Sequence, residues 1–318
     1  MTSSRQPFII ASNSVRAGKK AKFELPIARL TSGTPVTLPI IVLHGSHDGP
    51  VAWLSAAVHG DELCGVEIIR QVLEPLDPTT MNGTLIAVPV VNVHGFNTGD
   101  RYLPDRRDLN RSFPGSARGS LAARIAHLLM TEVVSRCQVG IDLHTGSDHR
   151  TNLPQIRADL DDPYTLELAH IFAAPISVHS RTRDGSLRQA GTEAGATVLL
   201  YEGGEALRFD PVAINMGRDG VRRILATLGI IPDVAQAPVQ TTISRRSRWL
   251  RAARSGILHF EAELGARVSQ GETVAIIVDP FGKRLSRIAA KYDGLIIGHS
   301  QHPLVNQGDA VAHVAEID

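Results

Sequence analysis

Two stretches of this 318-residue chain set a histidine and a carboxylate at the end of an apolar run. In Val58-His59-Gly60-Asp61-Glu62 the histidine closes the run Val51–Val58, and Glu62 follows just ahead of a segment with helical period. In Asp142-Leu143-His144-Thr145-Gly146 a second histidine closes the run Val139–Leu143. Alternate residues of a strand face one side, so Asp142 is placed to accept a hydrogen bond from the far nitrogen of the His144 ring and fix its tautomer. Two imidazoles, one carboxylate and a fourth position left to water make the donor set of a catalytic zinc site. His59, Glu62 and His144 are therefore the expected ligands of one Zn²⁺ per subunit, with Asp142 behind His144; the same donors would also hold cobalt or manganese. Taken alone, His-x-x-Glu reads equally as a core histidine beside a surface glutamate, and the second stretch is what favours the metal.

Between these stretches lies the arginine-rich loop Asp100-Arg-Tyr-Leu-Pro-Asp-Arg-Arg-Asp-Leu-Asn-Arg-Ser-Phe-Pro-Gly115. The guanidinium fork matches a carboxylate with two parallel hydrogen bonds, and Asn110 next to Arg111 can take up the second oxygen. Ion pairs with Asp105 and Asp108 are the plainer reading of this loop; beside a metal, substrate recognition is favoured. Further on, Glu202 ends the run Thr197–Tyr201, where a deeply set carboxylate with a raised pKa can act as a general base. A loop or helix-capping glutamate is the plainer reading there.

In this order, His59-Gly-Asp-Glu62, Asp108-Leu-Asn-Arg111 and Asp142-Leu-His-Thr-Gly146 resemble the succinylglutamate desuccinylase/aspartoacylase family, zinc-dependent deacylases related to zinc carboxypeptidases, over residues 40–230. The resemblance implies zinc at His59, Glu62 and His144, carboxylate recognition by Asn110 and Arg111, and Glu202 as the base. It also implies that Arg101, followed by Tyr102, polarises the scissile carbonyl. Two additional residues separate Arg101-Tyr102 from Asp108 compared with aspartoacylase, so Arg106 and Arg107 stand as rivals. No arginine for a second acyl carboxylate can be matched; Arg150 and Arg157 are the candidates. A bacterial branch, which includes N-acetyl-diaminobutyrate deacetylases, carries a C-terminal β-domain that resembles residues 250–318. The implied reaction is hydrolysis of a linear, non-peptide amide in a small N-acyl amino acid. The rivals are a zinc carboxypeptidase acting on peptides and a non-catalytic carrier or binding module.

These residues need a scaffold that brings strand ends together. Residues 21–30 and 35–44 read as an edge hairpin, Trp53–Val58 as a strand covered on both faces, and Gly65–Leu73 as a helix. A strand over 83–93 has Pro89 as a misfit, residues 94–111 read as a loop without regular structure, and 116–134 as an amphipathic helix. Strands over 139–143, 176–178 and 197–201 alternate with helices over 164–172, 186–193 and 212–228. The alternation predicts an α/β fold, a mainly parallel mixed sheet flanked by helices, in which ligands gather at the carboxyl ends of strands. The expected domains are a hydrolase domain with its N-terminal hairpin over 1–235, a linker over 236–248, and a small all-β barrel-sandwich of biotinyl/lipoyl type over 249–318. The last rests on an internal repeat, Gly256-Ile-Leu followed by Val268-Ser-Gln-Gly and Gly294-Leu-Ile-Ile followed by Val305-Asn-Gln-Gly.

A net charge of +1 gives no electrostatic case for nucleic acid or a membrane surface. The basic run Ser244–Arg254 reads as a solvated linker face. Neither an export signal nor a span of ~20 apolar residues is evident, and two cysteines make no disulfide framework, which together suggest a cytoplasmic protein. Cys64 reads as a small buried hydrophobe rather than a nucleophile, and Lys283, at the hairpin where a carrier would be modified, as a surface lysine. Homo-oligomerisation is left open.

Overall fold

The computed structural model describes residues 5–147, 149–235 and 240–317. A short ribbon of β1 (Phe8–Ile10) and β2 (Asn13–Val15) precedes the expected edge hairpin, β3 (Lys19–Arg29) and β4 (Pro35–His44). The chain then runs through β5 (His47–Ala56), α1 (Cys64–Leu73), β6 (Asn82–Val88), α2 (Val93–Thr98), α3 (Leu121–Glu132), β7 (Val139–Gly146) and β8 (Arg150–Ala158). α4 (Pro163–Phe172), β9 (Ile176–His179), α5 (Leu187–Glu193), β10 (Thr197–Glu205) and α6 (Pro211–Thr227) follow. The remainder is β: β11 (Thr242–Ser244), β12 (Ser247–Arg251), β13 (Gly256–Phe260), β14 (Arg267–Val268), β15 (Thr273–Val278), β16 (Arg284–Ala289), β17 (Gly294–Ser300), β18 (Leu304–Val305) and β19 (Ala310–Glu316).

β10, β7, β5 and β6 lie side by side and parallel, because each carries a mostly apolar, buried run that must be covered on both faces. α1, α4 and α6 cover one face through Ile68, Phe172 and Ile224, and α3 and α5 cover the other through Ile125, Leu129 and Leu187. Short polar side chains start four of these helices: Ser120, Asp162, Ser186 and Asp210 each accept a backbone N–H of the first turn. Where β5 meets β7, Trp53 pairs with Gly140, and a Cβ at Gly140 would lie 2.1 Å from the indole. Gly140→Ala should therefore destabilise the chain by about 1–3 kcal/mol, the usual cost of overpacking, read as a lower urea midpoint; an unchanged midpoint would mean the indole can move.

Several elements differ from expectation. The strand 83–93 stops at Val88, because Pro89 has no N–H to give the ladder. The loop 94–111 opens on α2, capped by Asn92, and closes on a 3₁₀ turn over Leu109–Arg111, capped by Asp108. The helix expected from 116 begins only at Leu121. The basic run Ser244–Arg254 contains β12, which pairs with β19, so it is not simply a solvated linker face. Of the expected linker, residues 236–239 lie outside the described residues. β8 was not anticipated, since Pro154 and alternating polar residues hide it.

In the C-terminal β region the repeat is visible as exchange. β13 pairs with β15 and with β18 of the other half, while β17 pairs with β19 and with β14. Lys283 lies in the exposed turn between β15 and β16. β17 also pairs with β8, so the main sheet continues from β10 through β8 into β17, β19 and β12. None of the described helices is long and apolar enough to cross a membrane.

Candidate active site

The parallel strands β5, β7 and β10 deliver their last residues to one edge of the sheet. Glu202 stands opposite His144 in the ladder, and Ala56 opposite Leu143. After β5, Ala57 takes a left-handed turn with φ 49°, and the loop carries His59 to Glu62 into α1. Gly60 packs so closely on α2 that a Cβ would lie 2.0 Å from the Gly95 carbonyl carbon.

His59, Glu62 and His144 meet there, all buried, each with a ligand atom within 4.8 Å of the others. His59 Nδ1 lies 2.8 Å from Glu62 Oε1, and His144 Nδ1 lies 2.7 Å from Glu62 Oε2. The opposite ring nitrogens are tied to carboxylates, His144 Nε2 to Asp142 Oδ2 at 2.7 Å and His59 Nε2 to Asp108 Oδ1 at 3.2 Å. Ser55 Oγ in turn donates to Asp142 Oδ1 at 2.7 Å. Asp142 is thus where its spacing placed it. Asp108 gives His59 the same support, which no local pattern signalled because 49 residues separate the two.

The donor chemistry fits a divalent cation. Both Nδ1 atoms and the Glu62 oxygens converge, and the far nitrogens are held by acceptors, the arrangement that orients metal-bound imidazoles. Burial alone would lower His59 and His144; the charges of Glu62 and of Asp142 or Asp108 outweigh it and hold both above the ordinary histidine value. Burial would raise Glu62, yet the two imidazoles hold it far below the carboxylate range. The cluster therefore draws positive charge to its centre. A second grouping, Asp159, Asp161 and His179, is mostly exposed, and Asp161 pairs with Arg245.

Of the three rival arginines, Arg101 reaches this cluster. Its Nη1 lies 3.3 Å from Glu62 Oε1 and 2.5 Å from Ser147 Oγ, and its Nη2 3.3 Å from Asp108 Oδ2. Arg106 and Arg107 are exposed, and Arg107 pairs with Asp105. Asn110 spends its carbonyl oxygen on Leu187 N at 2.9 Å, so its NH₂ remains for a ligand. Arg111 donates to the Asn110 backbone oxygen. Both line a cavity of about 180 Å³ with the His-Glu-His cluster and Glu202. Glu202 is half-buried and accepts from Asn152 Nδ2 at 2.5 Å; burial raises its pKa, against the lowering pull of Arg157 and His144.

The cavity also has walls that the motifs did not reveal. Arg183 and Arg188 line it, as do Trp249 of β12 and His313 of β19, beside Arg150 and Arg157, the two candidates named from the sequence. Trp249 and His313 stack at 4.7 Å with planes 12° apart, and the Arg150 guanidinium lies 5.3 Å from the indole. The signal for Trp249 was a tryptophan inside the basic run Ser244–Arg254, where a solvated face would not need one. Cys64 Sγ, by contrast, only bridges Arg208 O and Asp210 N, and burial pushes it up to about 11, as suits a structural thiol.

Burial pushes His313 down to about 3, with Arg157 and Arg183 adding to the shift. The unfolded chain takes up a proton at an ordinary histidine near 6.5, whereas the folded chain keeps this ring neutral. Its contribution is therefore full above that value and is lost as pH falls toward 3. The urea midpoint should fall more steeply below about pH 6.5 in the wild type than in His313→Gln; parallel profiles would contradict this.

Residues 48–228 match the family profile of the succinylglutamate desuccinylase/aspartoacylase catalytic domain. Fold and relatives together define an α/β amide hydrolase. The chain belongs to the succinylglutamate desuccinylase/aspartoacylase family. It is 28% identical over 309 residues to an N-alpha-acetyl-L-2,4-diaminobutyric acid deacetylase of Halomonas elongata, covering 92% of this chain and 90% of that one. A crystal structure of a succinylglutamate desuccinylase/aspartoacylase from Rhodobacter sphaeroides superposes with a TM-score of 0.83 at 28% identity, over 94% of this chain and 96% of that one. The product-bound ectoine utilization protein EutE from Ruegeria pomeroyi, at 24% identity, shares the fold with a TM-score of 0.86 over 98% of each chain.

Proposed function

We propose that the chain hydrolyses the amide bond of a small N-acyl amino acid, with zinc held by His59, Glu62 and His144. The observation that carries this reading is the convergence of these three side chains with Glu202, Arg101 and Asn110 on one small cavity. Zinc bound there supplies Lewis acidity and lowers the pKa of water toward ~7. The substrate carboxylate lies against the Asn110 amide and Arg111. The Arg101 guanidinium donates to the carbonyl oxygen as negative charge builds on it. Glu202 takes a proton from the attacking water and returns it to the leaving amine.

The charges of the cavity narrow the substrate. Among the described residues that line it, the carboxylates are Glu62 and Glu202, against six arginines at 101, 111, 150, 157, 183 and 188. This balance favours a substrate with a second negative charge, on its side chain or in its acyl group, over one bearing a free side-chain amine as diaminobutyrate does. Charge-assisted hydrogen bonds of this kind are worth roughly 1.5–3 kcal/mol. N-acyl amino acids with a second carboxylate should therefore exceed N-acetyl-diaminobutyrate in kcat/KM by about 10-fold or more. Arg157→Gln should raise KM for them, and a preference for the amine-bearing substrate would overturn this specificity. Trp249 and His313 close one side of the cavity, which supports small amides over peptides.

A further inference from the structure

The C-terminal β region meets the proposed general base by way of β8. Asn152, on β8, donates from Nδ2 to Glu202 Oε2 at 2.5 Å. On its other side the amide oxygen faces Gly298 of β17, where a Cβ would lie 2.8 Å from Asn152 Oδ1. Asn152 and Gly298 are direct partners in the β8–β17 ladder, followed by Thr151 with His299 and Arg150 with Ser300. Gln155, the ladder partner of Glu202, donates from Nε2 to Ile297 O at 3.0 Å. The ladder is irregular on both sides of this contact: β10 shifts register against β8 between Glu202 and Gly204, and β17 shifts against β19 between Ile296 and Gly298. Such bulges re-aim side chains beside active sites. Here Glu202 and Asn152 meet beside them, and a Cβ at Gly298 could be accommodated only if the Asn152 amide moved.

From this juxtaposition we propose that Asn152 is a positioning residue for Glu202, and that β17 holds it in place through the missing side chain of Gly298. The proposal rests on the reading of Glu202 as general base. The Asn152 donor fixes one carboxylate oxygen, leaving the other to face the cavity. Gly298 does not line that cavity, so any effect of replacing it must pass through its neighbours.

The test compares Asn152→Ala, Asn152→Asp, Gly298→Ala and the double variant Asn152→Ala/Gly298→Ala, each with its metal content measured. On whichever amide is turned over, kcat should fall about 10- to 100-fold in the single variants, the cost of misplacing a reacting group by an ångström or less. KM should stay within about threefold and metal content should not change. The double variant should lose no more than Asn152→Ala alone, because both changes break one contact. Losses that multiply, or a change confined to KM, would overturn the proposal. Crystal structures of Asn152→Ala and Gly298→Ala decide independently of any substrate: a displaced Glu202 carboxylate supports the proposal, and an unmoved one overturns it. If no amide is hydrolysed by the wild type, the proposed function fails while these structures still decide the positioning. Should Gly298→Ala not fold, the two Asn152 variants decide whether that contact places Glu202.

Discussion

Glu202→Gln is expected to lower kcat by roughly 10²- to 10⁴-fold, the contribution of a well-placed proton carrier, while the protein keeps its metal. The substitution preserves shape, and the new amide oxygen can still accept from Asn152 Nδ2, which now lies 2.5 Å from the carboxylate. What disappears is the capacity to hold a proton between water and leaving amine. Glu202 belongs to β10 and its carboxylate accepts from Asn152, so the His59, Glu62 and His144 donors stay as they are. Steady-state kinetics and metal analysis on one preparation check both halves. Near-normal turnover would remove Glu202 from the chemistry, and loss of metal would make it part of the metal's support instead.

The second large effect is expected at the metal ligands. His144→Ala should leave the chain with little bound zinc and no measurable hydrolysis, since two donors rarely retain a catalytic metal. It should also destabilise the metal-free chain. Glu62 is fully enclosed and both its oxygens are met by imidazole nitrogens, at 2.8 and 2.7 Å. Removing one partner of a buried charge pair costs about 3–5 kcal/mol. Asp142→Asn is the graded version: it spares the ligand and weakens its support, with about 10- to 100-fold lower metal affinity. Metal content after dialysis and urea midpoints in chelator report the two consequences separately. Full zinc retention by His144→Ala would contradict the ligand assignment.

The centre of the site was legible because its residues sit where local pattern speaks. His59, His144 and Glu202 end apolar runs, apolar runs become covered strands, and parallel strands present their ends along one edge. The periphery was hidden by distance and by weak pattern. Asp108 supports His59 across 49 residues through a capped turn that reads as an irregular loop. β8 carries Arg150, Asn152 and Arg157 to the cavity, yet Pro154 and its polar residues give no strand signal. Trp249 and His313 arrive from strands that join the sheet only through the β17–β8 pairing, a tertiary event that no window of sequence contains. That Arg101 reaches the cluster while Arg106 and Arg107 stay exposed is likewise tertiary, in a loop that takes a left-handed turn at Arg106, where φ is 61°.

The central claim, that this cavity hydrolyses small N-acyl amino acids with a metal at His59, Glu62 and His144, is tested most directly by amine release. Metal-free protein and protein loaded with zinc would be given N-acetyl, N-succinyl and N-formyl amino acids and short peptides, and the free amine measured. The expected result is release from N-acyl amino acids by the zinc-loaded protein alone, fastest for those with a second carboxylate, with peptides left intact. Equal release without zinc, or preferential cleavage of the peptides, would contradict it.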